Sequence, residues 1–594
     1  MRIARLKVKN FRGVKEGELY LTERCVLVGD NNIGKSTILE SIDLVLGPER
    51  LSKYPVLDEH DFYAGEYLNK EGTERDIHIE VVVVGLSDEQ TRHFRNHIEW
   101  WNTSTNNLIE GPPASSTDER QVLPALRVGF SGAYDQEEDD FVGKTYYLSP
   151  QKDDGTFDVF GTKDKRMCGF LYLRTLRTGS RALSLEKGSL LDIILRLKEL
   201  NLPMWEDILN QLRELPVAEN PELGISEILT SVQKTVRTYV PSDWANNPHF
   251  RVSDLTRSNL RRILTVFMGT GAKREDGNEY AAPFQHQGTG TINTLVLALL
   301  SMIAELKQNV IFAMEEPEIA IPPYTQKRII HSISRKSAQA IFTSHSPYVL
   351  EEFDPSEILV INRVNGKLKG VAAKYPPTIK PKKYREEFRR RFCEALLARR
   401  VLITEGRTEF DSFPAAARRL QELGEYKTFE ELGIAILNAE AESQVAPLGE
   451  YLQSLDKITF AVFDKQTEES KTAIVKAVNF PFEANEKGFE DVIINGSSPE
   501  AILRYAKGLV ENGEWLSHMK ANEPNDQMDL GQLKTVMREF FVKNKASGVT
   551  ADFLGQCEIS EMPSFVVETI VSIQSIVDGR SDSVGSDREV PPED

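Results

Sequence analysis

Eight residues, Gly29-Asp30-Asn31-Asn32-Ile33-Gly34-Lys35-Ser36, constrain this chain more than any others. They read Gly, four variable residues, then Gly-Lys-Ser. An apolar run, Arg24–Val28, precedes them, and a stretch with helical spacing, Lys35–Leu46, follows. A buried strand, a Gly-rich turn and a helix start in that order make a phosphate cradle. Backbone N–H groups wrap the phosphate chain, and the helix N-terminus adds favourable dipole charge. The loop is therefore expected to bind a nucleoside triphosphate through Asn32, Gly34, Lys35, Ser36 and Thr37. Lys35 is expected to reach the β- and γ-phosphates, and Ser36 to ligate Mg²⁺.

Three further segments fit the same chemistry. The apolar run Val310–Met314 ends in Glu315-Glu316-Pro317-Glu318. Two carboxylates at a strand end suit a water-mediated Mg²⁺ partner, Glu315, and a general base, Glu316. Glu318 reads as a solvated acid of the turn. A second strand, from Ala340, ends in Ser344-His345-Ser346-Pro347, with His345 placed to contact a γ-phosphate. Gln285-His286-Gln287-Gly288-Thr289-Gly290-Thr291 precedes a helix-forming run, Asn293–Leu306, so Gly288 and Gly290 mark an anion-binding turn.

In this order the segments resemble the SMC/ABC group of ATPases over residues 1–375. The resemblance implies that the Gly288–Thr291 loop binds the γ-phosphate held by an opposite subunit, hence a homodimer or homotetramer. Two departures stand out. Glu315 replaces the usual Asp, and the signature lacks its Leu-Ser-Gly-Gly-Gln form.

The last third carries a second constellation. Arg400–Thr404 is an apolar strand ending in Glu405-Gly406, with Glu409 four residues on. Ile458–Phe463 is another, ending in Asp464, and Glu490-Asp491 follows downstream. Carboxylates at the C-terminal ends of neighbouring parallel strands converge on one sheet edge. Hard divalent cations take such oxygen ligands, and two held about 4 Å apart serve phosphodiester cleavage. Glycine beside a strand-end carboxylate leaves room for a metal and a bulky anion. Ordinary strand-end acids are the competing reading, strongest for Glu490 and Asp491.

Asn10-Phe11-Arg12, the loop sequence and Glu-Glu-Pro-Glu are similar to those of the OLD (overcoming lysogenization defect) family, in which a TOPRIM domain follows the ATPase head. The resemblance implies an ATP-dependent DNA endonuclease active in defence against phage. It implies Mg²⁺ or Mn²⁺, one metal or two, on Glu405, Glu409 and Asp464. The expected Asp-x-Asp reads Asp464-Lys465-Gln466 here. Gln466 offers a neutral oxygen but no charge, so one metal site is either weak or completed by Glu490. The family's C-terminal lysine near the scissile phosphate matches Lys545 better than Lys543. A class similar to the Gabija nuclease subunit works with a UvrD-like helicase.

Organisation follows from these segments. The expected fold class is α/β, an ABC-type ATPase with a helical insert followed by a C-terminal TOPRIM domain. The boundaries are 1–180 and 271–378 for the ATPase and 181–270 for the insert. The insert reads either as a packed helical subdomain or as a dimerisation element. A basic linker spans 379–399, the TOPRIM domain 400–578 and a disordered acidic tail 579–594. Between Lys380 and Arg400 nine Lys or Arg stand against three Glu, which suits either DNA guidance or a solvated helix face. The net charge of −18 counts against indiscriminate coating with nucleic acid, though not against a local basic patch.

No apolar run approaches the roughly 20 residues of a membrane helix. The start alternates apolar and basic residues and reads as a strand, not a signal peptide. The four cysteines form no Cys-x-x-Cys pair, which suits reduced thiols in a cytoplasmic protein and argues against a structural zinc site. Two rival functions remain open: an ATPase whose TOPRIM unit is a non-cleaving scaffold or sensor, and a primase or topoisomerase. The second lacks a Tyr-containing strand-passage domain and a primase zinc motif.

Overall fold

A computed structural model describes residues 1–579 except 49, 51–55, 69–72, 74, 110, 112–120, 175–182, 187–188, 215–224, 241–255, 307–309, 320–321, 378, 380–381, 383, 385–388, 516–522 and 525–527. The expected tail, from 580 on, and much of the basic run before 389 therefore lie outside the described residues. The chain divides into two compact units, Met1–Cys25 with Ser36–Ser344, and Val26–Lys35 with His345–Asp594.

In the first unit, β1 (Arg2–Phe11) and β2 (Val14–Tyr20) form a hairpin closed by the pair Phe11 and Val14. Asn10 and Arg12 turn it with φ of 58° and 50°. Pairing continues to that turn, so both strands reach further than the apolar alternation alone suggests. The next strand, β3 (Arg24–Val28), leads into the Gly-rich loop.

On the far side of β1 lies β4 (Ile77–Val84), followed by β5 (Ile98–Asn102), β6 (Asn107–Ile109), β7 (Val122–Asp135) and β8 (Asp140–Tyr147). They build an antiparallel arrangement in the order β6-β5-β7-β4-β1-β2, with β8 on β7. Further along come β9 (Phe170–Leu173), the hairpin β10 (Phe267–Lys273) with β11 (Glu279–Pro283), β12 (Ile311–Glu315) and β13 (Gln339–Thr343). Strand β12 pairs in parallel with both β13 and β9. All residues of β12 and β13 are buried, and the consecutive apolar residues Ile311–Met314 and Ala340–Phe342 are what parallel strands buried on both faces need.

The helical insert contains Leu190–Leu197, Asn201–Glu214, Ile225–Val236 and Arg257–Ile263. Pro203 falls in the first turn of Asn201–Glu214, where its missing N–H breaks no helical bond. Trp205, Leu209 and Leu260 form a small core there.

In the second unit, β14 (Ile358–Val364) runs parallel to Val26–Val28 and antiparallel to β15 (Lys367–Ala372). Beyond them β16 (Arg400–Thr404), β17 (Ile434–Asn438), β18 (Ile458–Phe463) and β19 (Phe480–Glu483) form an all-parallel sheet in the order β17-β16-β18-β19. The connections leave β16 and β18 in opposite directions. The crevice past their C-terminal ends is thus a topological switch point, the usual ligand position in open α/β sheets.

The sheet's core includes fully buried Phe413, Phe460, Ile493 and Phe541. The Phe413 ring centroid lies 5.7 Å from that of Phe489. Phe413→Ala is expected to destabilise this unit by about 3–5 kcal/mol. The measurement is a lowered denaturation midpoint with an unchanged slope for the unit's transition.

Candidate functional site

The Gly-rich loop is shaped by backbone before side chains. Gly29 has φ 149°, and a Cβ there would stand 2.6 Å from the Ile361 carbonyl oxygen of β14. Only glycine allows that approach. Gly34 is buried and Asn32 is exposed, with φ 63°. Lys35 is 7% exposed and folds back over the loop. Its ammonium donates to the carbonyl oxygens of Gly29 and Asp30, each at 2.7 Å. Ser36 is exposed and Thr37 half-buried in the first turn of the helix Lys35–Leu46, whose leading N–H groups have no intrahelical acceptors.

Within the first unit, the end of β12 delivers the acidic pair. Glu315 is 7% exposed and accepts a hydrogen bond from the Tyr172 hydroxyl at 2.7 Å. Burial, then the nearby Glu315 carboxylate, pushes the Tyr172 phenol far above its ordinary pKa, so it remains a donor. Sequence reasoning missed Tyr172. A single tyrosine in a short strand carries no pattern, and only the parallel β9–β12 register brings it to Glu315.

Glu316 leaves the strand in a left-handed conformation, φ 44°, and its N–H donates to the Thr343 carbonyl at 2.9 Å. A non-glycine residue held there costs about 1–3 kcal/mol, which marks the position as one the surroundings over-determine. Glu318 corrects the expectation of a solvated acid: it is half-buried and accepts from the Ser344 hydroxyl at 3.0 Å. Gly288 is exposed with open space around it, and Gly290 lies in the first turn of the helix Thr289–Leu306. Arg12 of the Asn-Phe-Arg turn ion-pairs with Asp61 at 2.8 Å and with Glu40 on the helix after the loop. In the second unit, His345 is exposed.

The switch point of the parallel sheet gathers the second constellation. Glu405 follows β16, and its Oε2 accepts from the Asp464 backbone N–H at 3.0 Å and the Gln466 amide at 2.9 Å. Gln466 thus turns its N–H, and not its neutral oxygen, toward Glu405. Gly406 leads into the helix Arg407–Leu423, and a Cβ there would sit 3.0 Å from Glu409 Oε2, crowding that carboxylate.

Glu409 is 4% exposed, and burial, then Asp464, Glu405 and Glu490, push its pKa up to about 8. Asp464 follows β18; burial, then Glu405 and Glu490, raise it to about 7 against the pull of Lys545. Among the described residues, its buried Oδ1 meets no hydrogen-bond partner.

Glu490, 4% exposed, accepts from the Thr408 hydroxyl at 2.8 Å and pairs with the Lys545 ammonium at 2.9 Å. Asp491 points to a different partner, Arg538, whose hydrogen bonds hold its carboxyl below the ordinary value. Lys543 pairs with Glu539 on its own helix. Lys545 and Glu490, not Lys543 and Asp491, thus stand with the buried acids. Thr408 is a further residue that sequence pattern did not flag.

An all-oxygen donor set with an unpartnered buried carboxylate oxygen suits a hard divalent cation. Among the described residues, however, no three acidic, His or Cys side chains already converge as a ligand group. Gln466 donates instead to Glu405, and the Lys545 ammonium pairs with Glu490.

The mutual repulsion has a pH signature. Glu409 and Asp464 hold protons more tightly folded than unfolded, so their contribution to stability is present below the ordinary carboxylate pKa. It is lost as pH rises toward about 8. In chelator, the thermal midpoint is expected to fall between pH 5 and 8 more steeply than in Glu409→Gln, and Mn²⁺ is expected to offset the fall. A wild-type slope equal to that of the variant overturns this assignment.

A basic group packs on the helix that carries Glu409. The Arg391 guanidinium lies 4.5 Å from the centroid of the Phe410 ring, next in sequence to Glu409. Arg390, on the same helix Arg389–Leu397, is exposed and donates to the Tyr348 hydroxyl at 2.6 Å. All four cysteines are buried, and among the described residues no helix is long and apolar enough to cross a membrane.

Comparison with known proteins bears on these sites. Residues 1–128 and 182–350 match the family described as AAA ATPase domain. Residues 396–465 match the overcoming lysogenization defect protein-like TOPRIM domain. Endonuclease GajA of Bacillus cereus (strain VD045) is 22% identical over 433 residues, covering 69% of this chain and 66% of that protein. A DNA replication and repair protein RecF from Rhizobium etli is 28% identical over 179 residues, 26% of this chain and 46% of that protein. The chain thus spans just under two thirds of the first relative and about half of the second.

Among solved structures, an SMC head bound to the C-winged helix domain of ScpA matches with a TM-score of 0.35 and 12% identity, over 64% of this chain and all of that one. With the first family matching half of its residues and the second matching the strands that carry Glu405 and Asp464, this chain belongs to the AAA ATPase domain family and carries an OLD-like TOPRIM domain behind it.

Proposed function

We propose that this chain is an ATP-binding, divalent-metal-dependent DNA endonuclease of OLD type, whose TOPRIM domain cuts and whose ABC-type ATPase heads gate the cut. The observation that carries the reading is the placement of Glu405 and Asp464 past β16 and β18 at the switch point, with Glu409, Glu490 and Lys545 beside them. Mg²⁺ or Mn²⁺ bound by these acids, singly or as a pair, supplies Lewis-acid charge and a nucleophilic water.

Lys545 is partly exposed and neutralises charge building on the scissile phosphate. Arg390 and Arg391 engage the DNA backbone electrostatically, a sequence-independent contact that salt weakens. At the phosphate loop, Lys35 and Ser36 hold the triphosphate and its Mg²⁺, Glu315 supports the metal, Glu316 activates water and His345 contacts the γ-phosphate, while the Gly288–Gly290 turn binds the γ-phosphate held by an opposite subunit. The domain boundaries given above accompany this reading. So do a homodimer or homotetramer, a cytoplasmic setting, a role in phage defence and a UvrD-like helicase partner.

The test is cleavage of plasmid and linear DNA with metal and nucleotide varied, using Lys35→Ala and Glu405→Ala as controls. Metal-dependent cutting lost in Glu405→Ala supports the proposal, and equal cutting by that variant overturns it. One observation favours a second reading, a TOPRIM unit that serves as scaffold or sensor: Gln466 and Lys545 already satisfy two of the acids. No cutting with Mg²⁺, Mn²⁺ or Ca²⁺ on any DNA selects that reading.

A further inference from the structure

Glu490 is a buried carboxylate with both oxygens engaged. Its Oε1 accepts from the Thr408 hydroxyl at 2.8 Å, and its Oε2 meets the Lys545 ammonium at 2.9 Å. Thr408 is 5% exposed and Glu490 4%, whereas the Lys545 side chain is 52% exposed. A carboxylate taken out of water keeps its charge only where it is paired and hydrogen-bonded. Here a fixed hydroxyl and a cation do both, and the cation is the member that reaches solvent. Asp464 is in the opposite state, with a buried Oδ1 that meets no hydrogen-bond partner among the described residues.

Three elements bring these groups together. Thr408 lies in the first turn of the helix Arg407–Leu423, and Glu490 in the first turn of the helix Phe489–Gly496. Lys545 opens the single turn Lys545–Ser547 that follows the helix Leu530–Lys543. Neighbouring contacts fix the same elements. Asp491 pairs with Arg538 of Leu530–Lys543. Ser412, on the same helix face as Thr408, donates to the Thr550 hydroxyl at 2.9 Å, and both residues are buried. Thr550 lies just past Lys545, beyond the left-handed Gly548. The segment is thus tied down on both sides of Lys545, and the contact with Glu490 sets where its ammonium stands.

We propose that Thr408 and Glu490 are positioning residues for Lys545: the hydroxyl fixes the carboxylate, and the carboxylate fixes the ammonium that serves the scissile phosphate. Glu490 is then an anchor and not a metal ligand. This role rests on the nuclease reading and decides, within it, between the two places open to Glu490. The metal is left to Glu405, Glu409 and Asp464. A divalent cation on Glu490 would compete with the Lys545 ammonium for one oxygen, and the other oxygen already holds the single proton that a threonine hydroxyl can donate.

Two measurements on the full chain test this without DNA. The first is the rate at which an amine-acylating N-hydroxysuccinimide ester modifies Lys545 in chelator, read by mass spectrometry. Lys543, which pairs with Glu539 on its own helix, is the internal reference. An ammonium that loses its carboxylate gives up its proton more readily. Glu490→Gln is therefore expected to raise the Lys545 rate about threefold or more, and Thr408→Val about twofold. Thr408→Ser, which keeps the hydroxyl, is expected to restore the wild-type rate. Should Glu490→Gln fail to fold, Thr408→Val decides alone, since it keeps the shape and both charges.

The second measurement is Mn²⁺ affinity, followed by the electron paramagnetic resonance signal of the free ion. Glu490→Gln combined with Lys545→Gln removes one charge of each sign. This double variant is expected to bind Mn²⁺ within about threefold of wild type, whereas Asp464→Asn is expected to weaken binding about tenfold or more. A Lys545 rate unchanged in Thr408→Val overturns the anchor. So does a double variant that binds Mn²⁺ as weakly as Asp464→Asn, which returns Glu490 to the metal. A wild type that binds no Mn²⁺ overturns the metal reading, and the proposal with it. A chain that meets both expectations and cuts no DNA overturns the nuclease reading while the anchor stands.

Discussion

Asp464→Asn is expected to lower metal-dependent DNA cleavage by at least about 1000-fold, the loss of several kcal/mol of transition-state stabilisation by a metal ligand. The same substitution is expected to raise the thermal midpoint of the chelator-treated protein at pH 8. Both effects have one cause. The Asp464 carboxylate is destabilised by burial and by Glu405 and Glu490, and its Oδ1 meets no partner among the described residues. An amide of the same shape removes that repulsion and, with it, the anionic ligand. Gain of stability with loss of activity is the signature of a functional group held against its own electrostatics. A variant that cuts like wild type, or whose midpoint falls, places Asp464 among structural residues. Cleavage rate over a Mn²⁺ titration and a melting curve in chelator are the two measurements.

Glu316→Gln is expected to slow ATP turnover by about 10²- to 10⁴-fold, the usual range for a lost general base. ATP binding is expected to persist, because the proposed phosphate cradle, Gly29–Ser36, does not include Glu316. The left-handed backbone at Glu316 and its N–H bond to Thr343 do not depend on the side chain, so the amide should be held at the same place. Turnover near the wild-type rate would remove Glu316 from the hydrolytic role. Steady-state phosphate release and nucleotide binding, measured on one preparation, separate this outcome from simple loss of affinity. Under the gating reading, DNA cleavage in the presence of ATP also shifts in this variant.

Legibility differed between the two constellations for physical reasons. The phosphate loop is local: one strand, one turn and one helix, all within Arg24–Leu46, so periodicity and glycine spacing suffice. Strand-end acids are legible too, because an unbroken apolar run stopping at a carboxylate marks where a buried strand reaches the polar edge of its sheet. That pattern picks out Glu405 and Asp464, and the register of β16 with β18 sets them side by side. It gives no means of choosing between Glu490 and Asp491. Adjacent residues on a helix face different directions, and only packing sends one to Lys545 and the other to Arg538.

By itself the sequence determined the class of chemistry: a phosphate-binding turn, an acidic strand end after Met314, and carboxylates closing two buried strands in the last third. These are short-range patterns written in residue type and spacing. The tertiary structure alone decided which groups meet. Tyr172 reaches Glu315 through a register joining residues 143 apart, Gln466 turns its amide rather than its oxygen to Glu405, and Lys545 crosses to Glu490. Burial is likewise a tertiary property. The raised proton affinities of Glu409 and Asp464, and the lowered one of Lys457 against helix-end carbonyls, arise from loss of water around groups that residue type and spacing alone leave solvated.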